Sequence, residues 1–333
     1  MEYAGSYALF NYRLEDPKEG FAYSNLRLIR AFENGLDPSS SEAGFVLVHV
    51  DMVKESGPLV AGVLDCFNSL ADNQLSAPFS RELFNAGLRK MLGAMQKVNK
   101  VMDTMWAKSK PARYTQFRTF IFGIMSQSMF PRGVIYEGVG HEPRSFRGES
   151  GANDSMIPLM DNFLQIPMAE TPLTEILRDF RRYRPTNHRE FLLWVKETSV
   201  DLHVREVALG EAASHAIGRT DFDGLVAESN RLWIQLLDQV REFRWRHWCF
   251  AREYILKMTK HPTATGGSPI VTWLPNQLEA VLVEMENVYG RATKGCTDFL
   301  GQECRDIMDL VSRQKERLAK EVARYCAERG VAA

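Results

Sequence analysis

The chain has 333 residues, 45% hydrophobic and 25% charged, a globular mix at a length that suits one large domain or two modest ones. Lys and Arg number 41 against 42 Asp and Glu, a net charge of -1, so no global field recruits nucleic acid or a membrane surface. The cysteines, Cys66, Cys249, Cys296, Cys304 and Cys326, are odd in number and lack CxxC or zinc-type spacing, and free thiols in a reducing cytosol fit this pattern best.

At the N-terminus, "MEYAGSYALFNYRLEDPKEG" has no basic region followed by an apolar one, so no signal peptide is expected. No apolar run approaches the roughly 18 residues that span a bilayer. The expectation is a soluble, cytoplasmic protein with neither a membrane nor a nucleic-acid partner. Residues 1–40 are irregular and predict a small N-terminal element, and 41–330 predict an all-helical domain, for an all-α fold. Strand signals are nearly absent, the best short apolar run being "FVLVHV" at Phe45 to Val50. Helical periodicity marks 42–72, 80–108, 112–128, 153–167, 172–183, 187–198, 223–258 and 272–326. The last stretch predicts two or more helices, broken near Gly290 or Gly301. Ser80 with Glu82, and Thr171 followed by Pro172, supply helix starts. Loops are expected at 36–44, 136–154 and 260–269. The basic "RQKERLAKEVARY" near the C-terminus interleaves its charges with apolar residues, as a solvated helix face does. GxSxG, GxxxxGK[ST] and HExxH are absent.

On the 223–258 helix, Ser229, Leu232, Leu236, Val240, Phe243, His247, Phe250 and Tyr254 follow by threes and fours as a single stripe, with His247 among its apolar members. Such a histidine is either a hydrogen-bonded core residue or a ligand, imidazole being a common donor to haem iron. Arg244, Arg246 and Arg252 lie nearby on other faces, where haem propionates can be paired. "SEAGFVLVHVDM" sets Phe45 and His49 four residues apart on one face, and "RYTQFRTF" does the same for Tyr114 and Arg118. An arginine among aromatics either snorkels to solvent or clamps a carboxylate beside an aromatic body. "TATGGSP" carries Thr265, Gly266, Gly267 and Ser268 in a loop that is either a plain turn or a close approach of backbone to a ligand.

Together these stretches resemble the haem-dependent tryptophan 2,3-dioxygenase and indoleamine 2,3-dioxygenase superfamily. "FRWRH" followed by "REYI" resembles its proximal-ligand helix, and "TATGGS" its TGG(S/T) loop. "EAGFVLVH" is similar to the stretch whose Phe and His lie over the distal haem face. "RYTQFR" resembles the Tyr-x-x-x-Arg pair that grips the amino-acid substrate. "YEG…SFRGESGANDS" is similar to the loop beside the haem, and "RRYRPTNHREFL" to another indoleamine dioxygenase segment. The resemblance covers roughly residues 40–275, with the pieces in the family's order.

It implies haem b as cofactor and dioxygen as co-substrate. His247 would be the iron ligand, with Ser150, Arg244, Gly266 and Gly267 about the cofactor. Phe45, His49, Tyr114, Arg118, Ser150, Gly151 and Thr265 would surround the substrate, and His49 would accept its indole N–H. The implied reaction opens the C2–C3 bond of L-tryptophan or a close derivative to an N-formylkynurenine-type product. Departures leave alternatives open: a hydroxylating or rearranging enzyme of secondary metabolism, or a non-catalytic haem sensor. His49 stands where the indoleamine branch carries Ser, Arg113 where it carries Phe, and Asn153 with Asp154 where it carries Gln-Ser. His188 belongs to a family segment in which it serves structure. Oligomeric state is not fixed by the sequence.

Overall fold

A computed structural model describes residues 8–71, 79–148, 154–168, 172–211, 222–259, 270–293 and 300–330. The protein is built of helices, as expected: α1 Ser41–Val53, α2 Ser56–Ala71, α3 Arg81–Asp103, α4 Met105–Lys108, α5 Pro111–Ile121, α6 Met156–Phe163, α7 Pro172–Phe180, α8 Thr186–Asp201, α9 Val204–Ala208, α10 Phe222–Phe250, α11 Ile270–Ala292 and α12 Gly301–Arg329. Among the described residues, no helix is long and apolar enough to cross a membrane.

Helix α3 is the spine. Phe84, Leu88, Met91, Met95, Val98 and Met102 recur at fours and threes and are buried, and this stripe seats α3 against α2 on one side and α10 on the other. Polar ties fix the rotation of the α3–α10 pair. The Asn99 amide donates to the Gln239 carbonyl at 3.0 Å, and the Ser229 hydroxyl donates to Asn85 Oδ1 at 2.6 Å. Helices α11 and α12 complete the packing around α10. Trp248 is fully buried, and its indole N–H donates to Glu321 of α12 at 2.8 Å.

One expectation shifts and another is met. The periodic run at 42–72 is two helices, because the chain turns at Lys54 and Glu55 before α2 begins. The 272–326 run divides where Gly301, at φ +79°, opens α12 in a backbone region that side chains disfavour. The N-terminal element contains a two-stranded antiparallel ribbon, Tyr12–Leu14 against Leu26–Leu28, with Tyr12 opposite Leu28. Three-residue strands are too short to show an alternating pattern. Leu26 and Leu28 join the main hydrophobic core. The buried Glu42 carboxylate accepts the backbone N–H groups of Phe32, Glu33 and Asn34, which ties this segment to the first turn of α1.

Directly after α10 the helix widens into a π-helical turn, Ala251–Leu256, and the Lys257 N–H bonds back five residues to the Arg252 carbonyl at 3.1 Å. Such turns re-aim side chains and recur at functional sites. This one begins one helical turn after His247.

Candidate functional site

A cavity of about 670 Å³ opens between α1, α5, α6, α10, the π turn and α11. The α10 stripe explains its position. Leu232, Leu236 and Val240 are buried in the core, and further along the same stripe Phe243, His247, Phe250 and Tyr254 line the cavity. His247 is exposed, and the space it is exposed to is this cavity. Burial within the surrounding protein pushes its pKa down to about 4, with the Arg244 cation adding to the effect. The imidazole is therefore neutral, the form in which its lone pair can bind a metal.

Arg244, one turn before His247, also lines the cavity, but its fork is occupied. It donates to both Asp161 oxygens at 2.8 and 2.7 Å and to the Gln277 carbonyl at 3.0 Å. Bidentate pairing of this kind fixes both side chains. Burial raises the Asp161 carboxyl above its ordinary value, and Arg244 opposes that. Arg246 pairs with Glu242 and Asp103, and Arg252 with Glu321. Neither lies on the wall, which corrects the expectation that these two arginines are available to an anion there. The cations that do reach the wall include Arg178, Arg181 and Arg184 from the α7–α8 junction. They were missed because their own stretch carries no spacing that points to a site. Burial, with neighbouring Arg181, lowers the Arg184 guanidinium to about 10.

Helix α1 delivers Phe45 and His49 to the cavity, and a glycine makes this possible. A Cβ on Gly44 would stand 2.0 Å from the Lys108 carbonyl oxygen, so only glycine lets α1 lie against α4 at that point. Gly123 plays the same part beside the 142–148 strip, where a Cβ would meet the Gly148 nitrogen at 2.0 Å. Phe45 packs on Tyr114 with ring centroids 5.1 Å apart, and Tyr114 on Tyr254 at 5.7 Å. The Tyr254 hydroxyl donates to the Ser109 carbonyl, which locks the π turn to the start of α5.

Tyr114 is on the wall, whereas Arg118 is not. Arg118 is buried beside Tyr114, its guanidinium 4.5 Å from the Phe122 ring centre. Burial lowers its basicity, and the adjacent Tyr114 oxygen opposes that shift. Arg113 is exposed and also off the wall. Ser150, Gly151, Thr265, Gly266 and Gly267 lie outside the described residues. Elsewhere the wall is soft, with Met52, Met102, Met105 and Met156 among its apolar members. Methionine is the side chain that adapts most readily to a guest's shape.

This donor set fits a haem: one neutral imidazole, an apolar and thioether wall, and arginines for carboxylates, in a volume within the range of ligand pockets. Fold and site thus define a helical protein with a large, mostly apolar cavity walled by its helices. The pattern of the indoleamine 2,3-dioxygenase family matches residues 1–302, and the chain belongs to that family. It is 28% identical to indoleamine 2,3-dioxygenase 2 of Homo sapiens over 185 residues, 55% of this chain and 43% of that one. Indoleamine 2,3-dioxygenase 1 of Mus musculus is 25% identical over 192 residues, covering 56% and 44%. The 6-hydroxytryptophan 2,3-dioxygenase of Fusarium equiseti is 26% identical over 162 residues, covering 47% and 38%. The chain thus matches less than half the length of these relatives.

Proposed function

We propose that this protein binds haem b in the cavity through His247 and oxidises the indole ring of L-tryptophan or a close derivative with dioxygen, opening C2–C3 to an N-formylkynurenine-type product. The observation that carries this is the neutral His247 imidazole facing a large apolar cavity on the same helix as the family-like "FRWRH". Bound haem would supply the iron at which dioxygen is activated; the chain's own residues do the rest.

His247 would hold the iron. The Asp161–Arg244 pair holds His247's helix in register with α6, and Arg178, Arg181 and Arg184 are the wall cations suited to the propionates. Phe45, Phe250 and Tyr254 enclose the indole and keep water from it. His49 accepts the indole N–H. Tyr114 is a wall group in contact with Arg118, the expected carboxylate clamp, which acts from the protein side as a positioning residue. Holding the ring still is the main service these residues perform, since a fixed encounter geometry removes much of the entropic part of the barrier.

The names of the relatives support this class of substrate, and that of the Fusarium enzyme carries a ring-hydroxylated tryptophan. The test is product analysis after L-tryptophan is supplied to reduced, haem-loaded protein under air. A ring-opened product supports the proposal. A hydroxylated or rearranged amino acid replaces its reaction type, and haem binding without turnover replaces the enzyme by a sensor. A cytoplasmic location is proposed with it.

A further inference from the structure

On the cavity wall, α1 meets the segment that leads into α6 through a pair of side chains. His49 Nε2 lies 3.5 Å from Asp154 Oδ2, and both side chains are mostly buried. Asp154 is itself held. Its Oδ1 accepts the Met156 N–H at 2.7 Å, its main-chain carbonyl accepts from Arg184 Nη2 at 3.2 Å, and the Arg184 charge stands close to its carboxylate. Both His49 and Asp154 line the cavity. The iron-binding role assigned to His247 makes no use of this pair.

A carboxylate only accepts hydrogen bonds, and a neutral imidazole has one donor nitrogen and one acceptor. The partner of one ring nitrogen therefore decides what the other can do. We propose that Asp154 is a positioning residue that fixes His49 in the Nε2–H tautomer, leaving Nδ1 as the acceptor for the ring N–H of the substrate. The consequence is specificity: a ligand with a free ring N–H is favoured over one whose ring nitrogen is alkylated. This rests on the proposal that an indole occupies the cavity, but the tautomer itself does not.

The test has two arms. In the first, nitrogen-15 NMR of histidine-labelled protein, without substrate and as the diamagnetic ferrous CO complex, reads the His49 tautomer, assigned by its loss in His49→Gln. The expected wild-type signature is a protonated Nε2 and a free Nδ1. Asp154→Asn keeps an oxygen able to accept the Met156 N–H, and asparagine is as good a helix-start residue, so the fold is expected to persist. In that variant the signature shifts toward the other tautomer or a mixture. A wild-type Nδ1–H form, or a signature unchanged in Asp154→Asn, overturns the proposal; the wild-type spectrum decides alone if the variant does not fold. In the second arm, binding of L-tryptophan is compared with that of its ring-N-methylated analogue. Wild type prefers the first, and Asp154→Asn loses on the order of tenfold of that preference, about what one buried hydrogen bond contributes. The expected tautomer without any preference in wild type contradicts the indole reading and leaves the Asp154 role standing.

Discussion

His247 and Asp161 are the two side chains on which the cofactor reading depends most. His247 is neutral in the folded protein, with its pKa lowered to about 4 from the ordinary 6.5. In the unfolded chain it takes up a proton below about 6.5, so the unfolded state binds more protons between those values. Stability of the cofactor-free protein should therefore fall as pH drops from about 6.5 to about 4. His247→Gln should flatten that part of a denaturation-against-pH curve, and an unchanged curve would remove the burial argument. His247→Ala should also abolish the histidine-ligated haem spectrum. Asp161→Asn leaves the 5%-exposed Arg244 side chain without its bidentate partner. Breaking a buried pair in this way costs about 3–5 kcal/mol, read as a loss in urea unfolding, and should weaken haem retention. Arg118→Ala removes the cation that holds Tyr114 and should lower kcat/KM for L-tryptophan on the order of tenfold while haem content stays constant, about what one buried hydrogen bond contributes. Loss of haem in that variant would make Arg118 a purely structural residue.

Among the elements, α1 has the narrowest tolerance. Gly44→Ala drives a methyl group into the Lys108 carbonyl, and neither helix backbone can give way cheaply. The expected cost is about 1–3 kcal/mol, the range for overpacking, seen as a lower Tm. Because Phe45 and His49 follow on the same helix, substrate affinity should fall as well, while the ferrous CO spectrum, set from α10, should not change. An unaltered affinity would mean that α1 does not position the substrate. Helix α10 itself was legible from sequence because burial imposes one long stripe at threes and fours. Its passage from core to cavity was not, since Leu236 and His247 fit the stripe equally well whether it faces protein or an empty space. The break between α1 and α2 was hidden because apolar spacing runs through both.

At the level of the molecule, the sequence carried the all-helical class and the local motifs, and lost what depends on distance along the chain. Arg244 reads as an available cation until α6, 83 residues away, brings Asp161 to it. His49 and Asp154 stand more than 100 residues apart and meet only when α1 and α6 share a wall. Arg118 shares a helical face with Tyr114 as its spacing predicts, yet its guanidinium lies over the Phe122 ring and not on the cavity wall. Local periodicity specifies which side of a helix faces inward; it is silent on whether the inside at that point is packed or open.

The central question for the molecule is whether a haem held by His247 opens an indole ring. The most direct measurement supplies isotopically labelled dioxygen and L-tryptophan to reduced, haem-loaded wild type and His247→Ala, with mass spectrometry of the products. Wild type should give a ring-opened product that carries both atoms of one dioxygen molecule, and His247→Ala none. A wild-type protein that takes up no haem, or a His247→Ala variant that forms the same product at the same rate, would contradict it.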